Sequence, residues 1–280
     1  MVGALIRKML RPLWKALSPG TRSRLIGLCR SKKGLRQSTG TGMSEAEKFR
    51  IGLPTVSGLL ENIRDNGFSP VGIIDIGANV GDWSRTASSV FASSRILMFD
   101  GDPDNEPALL NTVREIGSRS ECFLALLGPE KKDGVTFYKH RPEIGTTGSS
   151  ILPELTSFEK EVITLPMDTL DSLIDSAALQ APLLLKLDVQ GFELEVLKGG
   201  RRTLKLSEVV IMEVSLLPYN DGAPSFADVV GFMNEEGFVA FDFCGQFRRE
   251  SDHALFQTDV VFVRRESNLR AQRKFWLNEP

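Results

Sequence analysis

Apolar runs too short for helices recur along this chain, and most are followed by a stretch that reads as a helix. Residues 71–76, 95–99, 122–127, 183–188 and 208–214 lack the polar alternation of a half-exposed strand, so they predict strands buried on both faces. Helices are predicted over 53–66, closed by Asn66-Gly67, from Trp83 to about residue 90, and over 103–116 with Pro103 in the first turn. Further helices are predicted over 168–179 with Asp168 as N-cap, over 192–198 closed by Gly199-Gly200, and over 224–236 closed by Gly237. Residues 134–139 read as one strand of a local hairpin and 162–167 as another extended piece, with an irregular Gly-, Thr- and Ser-rich stretch between them. Two last strands fall at 238–243 and 259–263, and a terminal helix at 266–277.

Strands alternating with helices predict an α/β fold, a mostly parallel sheet with helices on both faces. The last two strands are joined by a helix-free connection, residues 244–258, which favours antiparallel pairing. The expected sheet is therefore Rossmann-like and seven-stranded, with one antiparallel strand in its edge region.

Charge divides the chain. Residues 1–44 carry ten Lys or Arg and no acid, whereas the whole chain nets -2, so a basic arm is joined to an acidic body. Leu5, Ile6, Met9, Leu10, Leu13, Trp14 and Leu17 interleave with the arm's charges at helical spacing. The segment is too short and too charged to span a bilayer and lacks the apolar run of a secretory signal. Two readings of it stay open: loose attachment to an anionic membrane surface through residues 1–40, or a partly disordered leader or helix packed on the body. Residues 1–47 are thus read as arm and linker, 48–265 as the main domain and 266–280 as a helical tail. Cys29, Cys122 and Cys244 are odd in number and widely spaced, which predicts reduced thiols and a cytoplasmic protein, peripheral to the inner face of the membrane if the arm attaches there. Only His140 and His253 are present, which disfavours a histidine zinc site. Nucleic acid could bind the basic arm, but the acidic body would repel it.

Candidate chemistry begins at Ile74-Asp75-Ile76-Gly77-Ala78-Asn79-Val80-Gly81-Asp82, a glycine-bearing turn between a strand and a helix. Gly77 permits a sharp backbone turn, and Gly81 permits close approach of the helix. Asp75 ends the strand, where a carboxylate can take a charged amino group. A dinucleotide turn usually has glycine where Asn79 stands, so an adenosyl amino acid fits better than a pyrophosphate. Asp100, nineteen residues after Gly81, closes the second strand at the spacing of a ribose-binding carboxylate, with Asp102 as the reserve. In the other half, Lys186 and Asp188 are charges on one side of an apolar strand, and Glu213 ends the next.

These segments resemble the FkbM family of methyltransferases. The resemblance rests on Ile-Asp-Ile-Gly-Ala-Asn-Val-Gly at 74–81, Met-Phe-Asp at 98–100 followed by Pro103, Lys-Leu-Asp-Val-Gln-Gly-Phe-Glu-Leu-Glu-Val-Leu-Lys-Gly-Gly at 186–200, and Met-Glu-Val-Ser at 212–215. It implies a class I methyltransferase fold and S-adenosylmethionine as methyl donor. It also implies an oxygen nucleophile, a hydroxyl on a sugar, glycan or natural-product scaffold. Asp75, Gly77, Asn79, Gly81 and Asp100 would then line the cofactor site, with Asp188 facing the methyl group or the acceptor. The family commonly has Glu-Pro where this chain has Asp100-Gly101, so the acid is kept but shortened.

For the chemistry, Asp188 is expected to position the acceptor or act as base, with Lys186 and Glu193 as supporting charges and His140 as the alternative base. Gly145–Ser150 is a candidate lid. Asp168, Asp188, Glu193 and Glu213 could offer oxygen ligands to Mg²⁺, but no metal is expected. The rival readings are an NAD(P)-dependent oxidoreductase and a non-catalytic membrane- or partner-binding module on the same fold.

Overall fold

The structure, a computed structural model, describes residues 55–140, 148–174 and 180–271. The chain divides into two compact units, 1–42 and 43–280, and every described residue belongs to the second. The basic arm, the expected lid residues 145–147, residues 175–179 of the helix expected over 168–179, and the tail beyond 271 lie outside the described residues.

The unit opens with helix α1 (Val56–Asp65), capped by the Thr55 side chain, which accepts from the Gly58 amide. Strand β1 (Gly72–Ile76) is buried at every residue, as a central parallel strand must be. Then come α2 (Asp82–Val90), β2 (Arg95–Asp100), a 3₁₀ turn at Pro103–Asn105, α3 (Glu106–Ile116) and β3 (Ser120–Leu124). Strands β4 (Leu126–Leu127), β5 (Lys132–His140) and β6 (Lys160–Asp168) lead to α4 (Leu170–Ile174). Strand β7 (Leu183–Leu187) is followed by α5 (Glu193–Lys198), α6 (Arg201–Leu206) and β8 (Ser207–Ser215). The chain closes with α7 (Phe226–Glu235), β9 (Phe238–Arg248) and β10 (Leu255–Arg264).

The main sheet has seven strands in the order β3-β2-β1-β7-β8-β10-β9. The pairs among β3, β2, β1, β7 and β8 are parallel, and β10 lies antiparallel between β8 and β9. The antiparallel strand is thus next to the edge, as expected of the edge region. One face of the sheet packs Ile74, Leu185, Met212 and Phe262 against α4 to α7, through Leu170, Val196, Leu204 and Met233. The other packs Ile73, Met98, Leu184, Ile211 and Val261 against α1, α2 and α3, through Leu59, Ile63, Ala87 and Leu109. None of the described helices is long and apolar enough to cross a membrane.

Several expectations are corrected. The strand read at 122–127 breaks in two: the Ala125 amide makes the last bond to β2, at the Asp100 carbonyl, and the chain then leaves the main sheet. Leu126 and Leu127 then join a separate three-stranded sheet, β4-β6-β5, which also takes up the hairpin strand. Gly199 does end the helix expected over 192–198, as its C-cap. A Cβ on Gly199 would run into the Gly128 carbonyl, so glycine permits close packing there, and α6 follows at once. The connection read at 244–258 shrinks to residues 249–254, because β9 and β10 pair far beyond their apolar stretches.

Candidate active site

The candidate residues Asp75, Asp100 and Asp188 gather where the parallel strands end. Residues 77–81, between β1 and α2, hold three left-handed residues: Gly77 (φ 77°), Asn79 (φ 51°) and Gly81 (φ 83°). Gly77 is required twice over, because a Cβ there would also strike the carbonyl of Asp188. The Gly77 and Ala78 amides donate to the Phe99 carbonyl, and Thr112 Oγ1 of α3 donates to the Val80 carbonyl. Asp100, at the end of β2, takes the Asn79 amide at 2.6 Å on Oδ2 and the Asp102 amide and Asn105 Nδ2 on Oδ1, at 2.8 and 3.0 Å. Burial nevertheless pushes the Asp100 carboxyl above the usual range, against those bonds. Three donors leave one of a carboxylate's roughly four lone-pair positions.

Asp75 is 1% exposed. Its Oδ2 accepts from Ser84 Oγ at 2.7 Å, while Oδ1 is buried with no hydrogen-bond partner. Such an orphaned acceptor is costly unless something fills the role. Burial pushes the Asp75 carboxyl up to about 6, against the nearby Lys186 charge and the Ser84 bond. An orphaned acid beneath a glycine turn, with Asp100 one strand away, fits a ligand that has both an amino group and a ribose. Asp102, the reserve for that role, is buried and committed elsewhere. It caps the 3₁₀ turn through the Asp104 amide at 3.0 Å and accepts from Ser149 Oγ at 3.2 Å.

The register pairs Asp75 with Lys186 across β1 and β7. Lys186 is buried, and its Nζ lies 2.8 Å from Asp188 Oδ2. Burial alone would lower the lysine, but the carboxylates of Asp188, Asp259 and Asp75 outweigh it and hold the ammonium above its ordinary value. Burial opposes ionisation of Asp188 too, yet the Lys186 charge and bonds from Lys186 and Gln190 hold its carboxyl low. The Asp188 side chain keeps 33% of its surface exposed, so this carboxylate can meet a substrate.

Glu193 belongs to the same turn in a different capacity. Its Oε1 accepts the Val189 and Gly191 amides at 3.0 and 3.1 Å, fastening the 188–193 backbone. It is 2% exposed, and burial pushes it up to about 7, so the expected supporting charge is a backbone anchor. His140 does not converge with Asp188. Its ring is buried, with Nε2 2.9 Å from Glu154 Oε2, and Lys160 bonds both. That cluster ties the 148–154 segment to β5 and β6, so the structure does not place His140 as an alternative base. Asp168 sits in the second sheet with Ser172 and Lys131, apart from Asp188 and Glu213. Among the described residues, no group of three His, Cys, Asp or Glu is arranged to hold a metal.

The sequence reading missed Asp259, Gln190 and Gln257. Asp259 lies opposite Glu213 on β10, buried, and burial pushes its carboxyl up to about 6 against the Lys186 charge. An acid opening the apolar run Val260–Val263 was the available signal.

A parallel sheet with one antiparallel strand, a glycine turn after β1 and an acid ending β2 define the class I methyltransferase architecture. The chain belongs to the FkbM methyltransferase family, whose domain model matches residues 75–240. The site is consistent with S-adenosylmethionine as cofactor. Magnesium protoporphyrin IX methyltransferase from Synechocystis PCC 6803, solved with bound SAM, is 15% identical, with 89% of this chain and 98% of that one covered and a TM-score of 0.43. Precorrin-6y C5,15-methyltransferase from Geobacter metallireducens is 11% identical over 74% of this chain and 86% of that one, with a TM-score of 0.41. The 1,6-didemethyltoxoflavin-N1-methyltransferase of Burkholderia thailandensis, with bound S-adenosylhomocysteine, is 11% identical over 89% and 91%, with a TM-score of 0.39. No curated protein matches the chain.

Proposed function

We propose that this methyltransferase acts on a hydroxyl oxygen of a sugar, glycan or natural-product acceptor. The observation that carries the reading is the partly exposed Asp188 carboxylate, held ionised by Lys186 beside the glycine turn. S-adenosylmethionine, when bound, supplies an electrophilic methyl group. Asp75 would hold its amino group and Asp100 its ribose, and Gly77, Asn79 and Gly81 would let the backbone approach it closely.

Asp188 does the proton work. A hydroxyl becomes strongly acidic only as its oxygen is methylated, so a weakly basic carboxylate suffices, provided it is never protonated at rest. Lys186 secures that condition. Alignment of donor and acceptor supplies the remainder of the rate. Residues 148–154, together with 216–223, frame the approach to Asp188: Ser150 Oγ donates to the Val189 and Gln190 carbonyls, and Leu155 donates to the Tyr219 carbonyl. Acceptor choice is assigned to these segments, and association with an anionic membrane surface to residues 1–40.

Calorimetric titration with S-adenosylmethionine, with NAD and NADP in parallel, tests the donor. Binding of S-adenosylmethionine alone, lost in Asp75→Ala, is the expected result, and NAD binding would overturn the reading. A tritium-methyl screen of hydroxylated saccharides and small natural products, with amines as controls, then tests the acceptor. Transfer to amines only would reject the oxygen assignment. Deleting residues 1–40 should abolish co-sedimentation with anionic liposomes, and unchanged sedimentation would reject the membrane role.

A further inference from the structure

Gln190 has φ 58°, a left-handed backbone that a residue of its shape seldom adopts. Strain of that kind persists where surrounding structure imposes it, and it clusters at functional sites. Here it turns the side chain back over the strand ends. The Gln190 Nε2 group donates to Asp188 Oδ1 at 2.8 Å and to Glu213 Oε2 at 2.6 Å, bridging two acids. Glu213 Oε2 also takes Gln257 Nε2 at 3.1 Å. A single amide nitrogen bonded to an oxygen of each acid holds the Asp188 and Glu213 carboxyls close together, and two acids so placed can share a hydrogen bond only if one of them carries a proton.

Charge decides which one. Lys186 makes its ion pair with Asp188, at 2.8 Å. The groups that face Glu213 are Lys186 and Asp188 on β7, Asp259 on β10, Glu193 on α5 and Tyr219 beyond β8. Apart from Lys186, whose ion pair goes to Asp188, none of them is a cation. Burial, Asp188 and Asp259 all push the Glu213 carboxyl well above the usual glutamate range.

We propose that Gln190 and Glu213 are positioning residues for Asp188: Glu213 is a neutral acid that donates its proton to the Asp188 carboxylate, and Gln190 clamps the two together. The inference rests on the reading of Asp188 as proton acceptor only for its purpose, since the proton's location is a property of the free protein. The arrangement leaves Asp188 as the single charged member of the pair, with part of its side chain still exposed. Two ionised acids at this spacing would repel each other and displace Asp188 from Lys186.

Infrared difference spectroscopy on the full chain reads protonated carboxyls directly. It is best done near about pH 7.5, above the carboxyls that burial raises only modestly. The wild type should show a protonated-carboxyl band there that Glu213→Gln removes, because glutamine supplies the same donor and acceptor without a titrating proton. Asp188→Asn should keep the band but lower its titration midpoint by more than about one pH unit, since the charge holding the proton is gone. Gln190→Leu should move the Asp188 midpoint upward. An unchanged band in Glu213→Gln would overturn the proposal. So would a wild-type spectrum with no such band, which keeps the test decisive should a variant not fold. An unmoved Asp188 midpoint in Gln190→Leu would remove Gln190 from the clamp. Failure of the wild type to bind S-adenosylmethionine in calorimetry would instead reject the methyl-donor reading and leave the carboxyl result standing.

Discussion

The turn after β1 and the turn after β7 lie side by side and are built on opposite plans. Both leave a buried parallel strand, and both contain a left-handed non-glycine residue, Asn79 in one and Gln190 in the other. The first is held from outside, by Asp100 of the neighbouring strand and Thr112 of α3. What it offers a ligand is backbone. The second has its anchor inside, its own Glu193, to which Ser150 Oγ adds bonds to two carbonyls from outside. What it offers is side chains, Asp188 and Gln190. A turn fixed by outside partners can let a ligand approach its backbone closely, while a turn fixed by its own anchor can place a carboxylate accurately. The two are locked to each other where the Asp188 amide donates to the Ile76 carbonyl and Gly77 packs on the Asp188 carbonyl.

That lock is the place to break the arrangement. Gly77→Ala must adopt a left-handed backbone and push aside the second turn, so it should cost roughly 3–5 kcal/mol of stability. Gly67→Ala provides the comparison. Gly67 is also left-handed (φ 95°), but a Cβ there meets nothing within 4 Å, so the loss should be about 1–2 kcal/mol. Urea denaturation of both variants reads the difference, and equal losses would show that backbone strain alone accounts for Gly77. On the chemical side, Asp188→Asn should lower kcat roughly 10²–10⁴-fold with an acceptor from the screen. Its affinity for S-adenosylmethionine should change far less, whereas a comparable loss of both would mean that the two turns do not divide binding from chemistry as argued. Glu193 tests the internal anchor. Glu193→Leu strands two half-buried amides and should cost about 1–3 kcal/mol in the same denaturation assay, with Glu193→Gln much milder because its amide oxygen can still accept.

The contrast between the turns also marks what the sequence could disclose. The geometry of the first turn was legible because it lies in glycine spacing after an apolar run, and Gly77, Asn79, Gly81 and Asp100 are all where that spacing put them. Asp188 and Lys186 were legible as charges in an apolar strand. Their partners were not. Asp259 lies 71 positions beyond Asp188 and reaches the site only because β10 inserts antiparallel beside β8, a pairing that local pattern does not encode. Gln190 looks like an ordinary loop residue until its left-handed backbone is known. Glu193 and His140 were misjudged for a common reason. Residue type marks them as able to titrate, while their roles follow from what lies against them: backbone amides for Glu193, and Glu154 with Lys160 for His140.

The smallest expected effect concerns pH, and it tests whether both turns rest on the same buried array. Asp75 under the first turn and Asp259 beside the second are raised from 3.8 to about 6, and Glu193 from 4.5 to about 7, all chiefly by burial. A raised carboxyl binds more protons folded than unfolded, so its contribution to stability falls as pH climbs from its unfolded value to its folded one. The window therefore runs from about pH 4 to about pH 7, and each group contributes on the order of 1–3 kcal/mol across it. Glu154, lowered to about 2 because the bonds from Lys160, Tyr219, Thr156 and His140 outweigh its burial, acts with the opposite sign, and its contribution is lost only as pH falls below about 4.5. Melting temperature should accordingly be highest near pH 5 and decline toward neutrality. Asp75→Asn and Glu193→Gln should each flatten that decline, and by separate amounts, because they remove titrating groups from different turns. A profile flat from acid to neutral pH would mean that these carboxyls are ionised throughout and that burial is not what sets them. S-adenosylmethionine, being a cation, should oppose the decline by favouring ionised Asp75, so that its affinity rises over the same interval in which the free protein loses stability.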